Sequence, residues 1–389
     1  MNEDARRKVD QLSLLHETGA GTPMGKLLRK FWHPIALSDE VATGKARRVR
    51  ILSEDLTLYR GASGKPYLVG GRCAHRCTVL HTGWVQDEQI RCMYHGWRYD
   101  GTGLCTEIPA ENRPRLKPIR IAAYPVHEYC GLVFAYLGEE PVPAFDLPRK
   151  HVFEEAGRTV ITNKQIWDCN WFQQVENSLD AVHVSFAHTW GKVGRFGSSV
   201  TTNIPDLAYS ETSAGVRQIA TRSKDNVRVS DWTFPNNNHV VAPGPEKDDP
   251  WAHITSWPVP IDDHNTMRLT LYSVDTTDPG RIATLKEKYD LGYSPAAHAD
   301  DLFQGVVEGV HEPGLISAQD YVAVRGQGVI YDRSQENLST SDAGVAFLRK
   351  IFLRELDAIR RGLPTKQWSR LAEEPHLAPP PPPAIQAAE

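Results

Sequence analysis

Two short segments dominate this chain: Cys73 and His75 form C-x-H, residues 76–91 intervene, and Cys92 and His95 form C-x-x-H. Together they supply two soft thiolates and two imidazoles to one small site. That is the donor set of a two-iron, two-sulfur cluster in which two His replace two Cys on one iron. The replacement raises the cluster potential to about −150 to +300 mV. A zinc site uses the same residue types, but usually opens C-x2–4-C and closes H-x3–5-H, whereas here each Cys is paired with its own His. The pattern points to single-electron transfer.

The 389 residues are enough for two domains, and 40% of them are hydrophobic. With a net charge of −4 there is neither a nucleic-acid footprint nor an acidic tail. Met1 to Glu17 alternates charges with short apolar stretches and does not read as a signal peptide. No run of eighteen apolar residues exists, so no membrane span is expected. The six cysteines are Cys73, Cys77, Cys92, Cys105, Cys130 and Cys169. With two of them committed to a cluster, they fit a reducing cytoplasm better than a disulfide framework.

The local patterns predict an α+β chain. Thr22-Pro23 reads as an N-cap and first-turn proline opening a short helix through Met24, Leu27, Leu28 and Phe31. From Ala46 to about Leu137 short strands alternate with turns such as Asp100-Gly101, as expected of a small antiparallel domain holding the cluster on two loops. Pro141, Pro143 and Pro148 make a stiff connector. Beyond it, Met267, Leu269 and Leu271 alternate with Arg268 and Thr270 as in a half-buried strand, and two more strands are expected near 216–220 and 253–257. Ser341 to Ile359 is the clearest helix, with Val345, Leu348, Phe352, Leu356 and Ile359 at spacings of three and four. Pro379 to Pro383 form a polyproline II tail. The expected divisions are an N-terminal helical segment over 1–44, a cluster domain over 45–145, a larger domain over 146–365 with an antiparallel sheet flanked by helices, and a Pro-rich tail over 366–389.

Residues 177–188 hold a second constellation. On a helix, Asn177, Asp180 and His183 would share a face at successive i, i+3 steps. His188 lies five residues after His183, about 140° round, so both reach one metal only if the helix ends or bends between them. Two imidazoles plus one carboxylate with open positions form the facial triad of oxygen-activating non-haem Fe(II). The carboxylate must come from downstream, where Asp342 and Asp320 compete. Asp342 opens the last long helix, where it can also serve as a first-turn carboxylate stabilising the helix N-terminus by about 0.3–1 kcal/mol. It is favoured because a rigid helix positions a ligand better than a loop. Asp320, in the polar stretch Ser317-Ala318-Gln319-Asp320, is the alternative.

The segments Cys73-Ala74-His75-Arg76 and Cys92-Met93-Tyr94-His95-Gly96-Trp97 resemble the Rieske non-haem iron oxygenase family, as does Asp180-x-x-His183-x4-His188, which matches its D-x-x-H-x4-H. One departure is Cys77, where the family usually has Gly. With no extra Cys in the second loop, Cys77 reads as an unpaired thiol beside the cluster. The resemblance covers nearly the whole chain, from Gly21 to Leu338, and is closest to the phthalate dioxygenase-like branch that includes dehydrodivanillate-type O-demethylases.

Several expectations follow from that resemblance. The chain is the catalytic subunit, a homotrimer with a Rieske [2Fe-2S] domain and a catalytic mononuclear iron domain. His183, His188 and Asp342 hold Fe(II), since family members place the iron carboxylate at the start of the final helix. Asn177 sits near the iron, and Asp180 bridges His183 to His95 of a neighbouring subunit. Oxygen and reductant electrons O-demethylate a methoxylated aromatic acid or, as the alternative, dihydroxylate an aromatic carboxylate to a cis-diol. A Rieske electron carrier would leave residues 177–188 unexplained. No G-x-G-x-x-G loop and no second cysteine cluster occur, which assigns NADH and flavin to a separate reductase or ferredoxin system. Trp232, Phe234, Asn238, His239, Trp251 and Trp257 are candidates for the pocket lining, and no arginine stands out as a carboxylate clamp.

Overall fold

The computed structural model describes residues 11–112, 117–188, 203–244, 249–289, 294–308 and 315–372. The prolines Pro379 to Pro383 lie outside them, whereas residues 366–372 of the expected tail lie within, where Trp368 stacks on Phe234 and Lys366 bonds Glu211. The chain divides into two compact units, one of Thr18–Phe145 with Val259–Asp262, the other of Met1–Glu17, Asp146–Pro258 and Asp263–Glu389.

The first unit opens with helix α1 (Pro23–Leu28), where the Thr22 hydroxyl accepts from the Gly25 amide at 3.0 Å and proline occupies the first turn. Strand β1 (Trp32–Leu37) follows and pairs with β11 (Leu132–Tyr136), which also pairs with β10 (Val126–Tyr129). The segment expected as a separate helical lead-in thus ends in a strand of the cluster-bearing unit. As the middle strand of three, β11 is buried along its whole length. A four-stranded sheet joins β2 (Ala46–Ile51), β3 (Glu54–Arg60), β4 (Pro66–Gly70) and β9 (Ala123–Tyr124). Another joins β5 (Trp84–Gln86), β6 (Gln89–Arg91), β7 (Arg98–Tyr99) and β8 (Cys105–Glu107). The two Cys/His segments are loops rooted on this strand framework. Tyr59, Val69, Leu80, Ile90, Trp97 and Tyr99 pack into one core with Cys73 and Cys92.

The second unit is built on a seven-stranded antiparallel sheet. Its strands are β12 (Thr159–Trp167), β13 (Asp206–Glu211), β14 (Gly215–Ser223), β15 (Asn226–Thr233), β16 (Asn237–Ala242), β17 (Ala252–Pro260) and β18 (Thr266–Val274). Their order across the sheet is β12-β18-β17-β16-β15-β14-β13. The alternation read in Met267–Tyr272 falls in β18, which pairs residue for residue with β12 from Thr159↔Val274 to Trp167↔Thr266. Since β12 and β13 are opposite edges, the chain between them must cross the sheet. That crossing carries α2 (Trp171–Ser178) and the one-turn α3 (Val184–Ala187). Helices α4 (Pro279–Tyr289), α5 (Ala299–Glu308), α6 (Leu315–Arg325) and α7 (Ala343–Arg360) complete the unit. In α7 the expected stripe is buried through Val345, Leu348, Phe352 and Leu356. No described helix is long and apolar enough to cross a membrane.

Candidate functional site

The two loops of the first unit use the same backbone turn. In one, the Cys77 amide donates to the Cys73 carbonyl at 2.9 Å and the Cys73 amide to the Thr78 carbonyl at 2.9 Å. In the other, the Gly96 amide donates to the Cys92 carbonyl at 3.0 Å and the Cys92 amide to the Trp97 carbonyl at 2.8 Å. The residue four after each cysteine turns left-handed, with φ of +59° at Cys77 and +73° at Gly96. Glycine adopts this conformation at no steric cost, whereas a side chain pays about 1–2 kcal/mol. Replacing the exposed Cys77 by Gly is therefore expected to raise stability by about 0.5–1 kcal/mol, read as a higher unfolding midpoint of the cluster-loaded protein.

The turns bury both cysteines, each about 2% exposed, and leave His75 and His95 at the surface with ring centroids 4.4 Å apart. Stacking on Trp97, 4.8 Å away and inclined by 6°, orients His75. None of the six cysteines is in a disulfide. Burial and the facing Cys73 thiol push the Cys92 thiol up, so holding both as thiolates calls for positive charge between them. Two buried thiols beside two exposed imidazoles are the donor set that would hold a two-iron, two-sulfur cluster with mixed ligands. The Tyr99 hydroxyl lies 3.2 Å from Cys73 Sγ and accepts from the Ala74 amide at 3.0 Å. Burial and the neighbouring thiol keep that hydroxyl protonated, so it donates to a Cys73 thiolate. Losing such a bond destabilises the reduced, more negative cluster. Tyr99→Phe is expected to lower the midpoint potential by about 60 mV, equivalent to about 1.4 kcal/mol for one electron, measured by a redox titration of the cluster spectrum.

In the second unit His183, His188 and Asp320 come together, with one donor atom from each lying within 4.8 Å of the others. Asp320 Oδ1 is 3.4 Å from His183 Nε2 and 3.3 Å from His188 Nε2. Helix α2 stops at Ser178, short of the continuous helix on which Asn177, Asp180 and His183 would share a face. The Asp180 carboxylate explains the break: Oδ1 accepts from the amides of Val182 (2.9 Å) and His183 (3.2 Å), a local alternative to helical bonding. The residues between His183 and His188 are themselves helical. The rings converge because they sit at the two ends of one turn, with centroids 5.3 Å apart.

Hydrogen bonds fix the ring orientations. His188 Nδ1 is 2.9 Å from the Gln319 side-chain oxygen, which leaves Nε2 for the centre. Asn177 donates to Asp320 Oδ1 at 3.3 Å, and Asp180 Oδ2 lies 3.7 Å from His183 Nδ1. Burial opposes ionisation of both Asp320 and His183, but His188 and His183 together outweigh it at Asp320, and the two nearby carboxylates do so at His183. Asp320 stays well below the usual carboxylate range, and Asp180 together with Asp320 lifts His183 to about 9. Two imidazoles and a carboxylate around one point, in a field that favours a cation, fit a divalent ion with open positions.

Asp342 does not join this centre. Its carboxylate accepts from the Ser339 amide at 2.7 Å and the Ser339 hydroxyl at 3.1 Å, capping the approach to α7. This is the helix-terminus role weighed against ligation. Rigidity does not separate the two acids, because Asp320 also stands on a helix, α6, and is buried there. Of the candidates for the pocket lining, His239 lines a small cavity with Leu147, Lys150 and Asp231. Trp232 and Phe234 are buried and pack on Phe352 of α7, and Phe234 stacks on Trp368 at 4.5 Å, so both belong to the core. Trp257 is buried as well, and His239 lies 3.4 Å from His253 Nδ1 through its Nε2.

A Rieske [2Fe-2S] domain profile matches residues 31–128. The oxygenase subunit of 5,5'-dehydrodivanillate O-demethylase from Sphingobium sp. (strain NBRC 103272 / SYK-6) is 33% identical over 371 residues, covering 91% of this chain and 81% of that protein. The chain belongs to the Rieske non-haem iron oxygenases. A second relative of this Rieske oxygenase, the alpha subunit of phenoxybenzoate dioxygenase from Ectopseudomonas oleovorans, is 31% identical over 375 residues, 90% of this chain and 85% of its own. In fold it is similar to the terminal oxygenase of carbazole 1,9a-dioxygenase from Novosphingobium sp. KA1, with a TM-score of 0.66 at 20% identity over 95% of this chain and all of that one. As a Rieske oxygenase it is the oxygenase component of a multicomponent system, with a [2Fe-2S] cluster and mononuclear iron as its cofactors.

Behind the centre of this Rieske oxygenase lies a charge network that sequence reasoning missed. Glu176, one residue before Asn177, accepts from Arg333 at 3.1 and 2.7 Å and from Arg349 Nε at 2.6 Å. Arg349 also grips Glu336 through both terminal nitrogens. The network ties α2 to α7 and to the 333–336 loop. The signal available was a Glu directly after the stretch Trp171–Val175, all of which is buried.

Proposed function

We propose that this oxygenase removes the methyl group from a methoxylated aromatic acid of the lignin-derived, dehydrodivanillate-like kind. The carrying observation is the likeness over 371 residues to an oxygenase subunit named for that reaction. Overall, O2, two electrons and two protons convert an aryl methyl ether to a phenol, formaldehyde and water. His183, His188 and Asp320 are assigned as the holders of Fe(II), which when bound supplies O2 activation beside the substrate. Cys73 and Cys92, with His75 and His95, are assigned to the cluster. Asn177 keeps Asp320 Oδ1 oriented through its amide, and Gln319 does the same for the His188 ring.

Electrons arrive from a separate reductase or ferredoxin system that carries the flavin and uses NADH. In a homotrimer, Asp180 would join His183 to His95 of the adjacent subunit. The partial exposure of the Asp180 side chain, 28%, and the exposed His95 support that route. Six cysteines with no disulfide among them support a cytoplasmic setting. A second reading, ring dihydroxylation to a cis-diol, is favoured by the likeness to a phenoxybenzoate dioxygenase. The experiment is turnover with a surrogate reductase, NADH and a panel of methoxylated and plain aromatic acids, following formaldehyde and cis-diol together. Formaldehyde with the matching phenol is expected; diol without formaldehyde selects the second reading.

A further inference from the structure

Strands β14 and β15 place two arginines on one face of the sheet. Ala220 pairs with Arg228, and directly opposed residues in an antiparallel pair point the same way; Arg222 stands at the bulge that follows, where it is buried like Ala220 and Gln218, while Arg228 is half-buried. The same face carries Gln218, whose amide donates to the Leu179 carbonyl at 2.6 Å, while Arg222 Nη2 is 3.4 Å from the Ala181 carbonyl. The arginines therefore look onto the crossing segment that presents the iron-site histidines. Ala181 is two residues before His183, within about 7 Å along the backbone.

Both cations are under-used. Arg222 is only 7% exposed, yet its Nε and Nη1 are buried without an acceptor, as is Arg228 Nε. Neither forms an ion pair among the described residues, and residues 189–202, which lead on from His188, contain no Asp or Glu. The buried Arg333 and Arg349 of the same unit are instead matched by Glu176 and Glu336. A buried cation with no counter-charge destabilises the fold that holds it. Burial lowers the pKa of both, and the Arg222 charge helps to bring Arg228 to about 10, so both remain charged at neutral pH.

We infer that Arg222 and Arg228 form the carboxylate-binding end of the substrate site, holding an arenecarboxylate with its ring directed toward His183, His188 and Asp320. The inference rests on the oxygenase reading above and identifies what that site selects. Two adjacent guanidinium groups suit a carboxylate because each presents a planar fork of donors.

The test is calorimetric binding under anaerobic conditions to the cluster- and iron-loaded protein, so that no turnover occurs. The probes are 4-methoxybenzoate and its neutral counterpart 4-methoxybenzamide. Wild type is expected to prefer the carboxylate by at least about tenfold, and Arg222→Gln or Arg228→Gln to weaken carboxylate binding by about 10- to 100-fold while leaving the amide within about twofold. Thermal melts accompany the binding. Removing an uncompensated buried charge is expected to leave the ligand-free melting temperature unchanged or higher. The absence of a carboxylate preference in wild type, or equal loss for both probes, overturns the inference. So does dissociation of the oligomer in Arg222→Gln, which would assign the cations to a neighbouring chain. A carboxylate preference without formaldehyde production keeps the arginine pair and removes the demethylation reading. Formaldehyde formed equally from neutral methoxyarenes by wild type and variants does the reverse.

Discussion

Asp320→Ala is expected to lose the mononuclear iron while keeping the cluster, so that iron falls from about three to about two per chain. Turnover disappears with it, yet the visible spectrum of the cluster stays as in wild type. The reasons are local. Asp320 is buried on α6 with one oxygen 3.3–3.4 Å from both imidazole Nε2 atoms, and no other described carboxylate completes a metal-binding group with them. Asp342→Ala is the matched control. It removes an acceptor for the Ser339 amide and hydroxyl, a capping loss of about 0.5–2 kcal/mol, and should retain three irons. Iron quantitation on the two purified variants decides the matter. Loss of iron from Asp342→Ala and not from Asp320→Ala would restore the assignment made from sequence.

Glu176→Ala should be the most destabilising of the single substitutions considered. It leaves Arg333 and Arg349 buried with Glu336 as the remaining acid of the network, and breaking a buried pair by removing one partner costs about 3–5 kcal/mol. In a domain of this size that corresponds to a fall of about 10 °C in the melting temperature of the catalytic unit, measurable by calorimetry. Glu211 offers the contrast. It bonds Arg354 and Lys366, and the Arg354 guanidinium holds its carboxyl down at about 2, but its side chain is 26% exposed and that of Arg354 47%. Its replacement by Ala should cost no more than about 1 kcal/mol. Equal effects at the two positions would count against burial as the controlling variable.

How much of this was legible beforehand depended on whether a function was local in the chain. The cluster ligands announce themselves because each Cys/His pair is a single turn, and His183 and His188 because one short segment carries both. Asp320 was harder to see, since it is 143 residues from the Asn177 that bonds it and nothing in its immediate neighbours marks it as a ligand. One usable clue was its place beside the buried run Ala318, Tyr321 and Val324 of α6; an acid set among buried positions needs a partner. Asp342 precedes the first apolar position of its helix, where caps belong. The break after Ser178 escaped notice because helical spacing was counted without asking what the Asp180 side chain would do to nearby amides. Arg222 and Arg228 are inconspicuous in sequence, for only strand pairing makes neighbours of them.

The two cluster loops invite one further thought about how this fold can change. Each turn closes on itself through two backbone hydrogen bonds, so the position of a ligand does not depend on the length of chain leading to the other. Between them runs the β5–β6 hairpin, with Asp87 at its tip in a left-handed conformation. Residues added at that tip would lengthen an excursion whose entropic cost grows only with the logarithm of its length. The cluster cradle is thus built of two self-closed halves held in register by the strands beneath them, and the hairpin between them is pinned at its tip, where the Ala62 amide donates to the Asp87 carbonyl at 2.8 Å and Tyr59, Ser63 and Tyr67 bond Glu88.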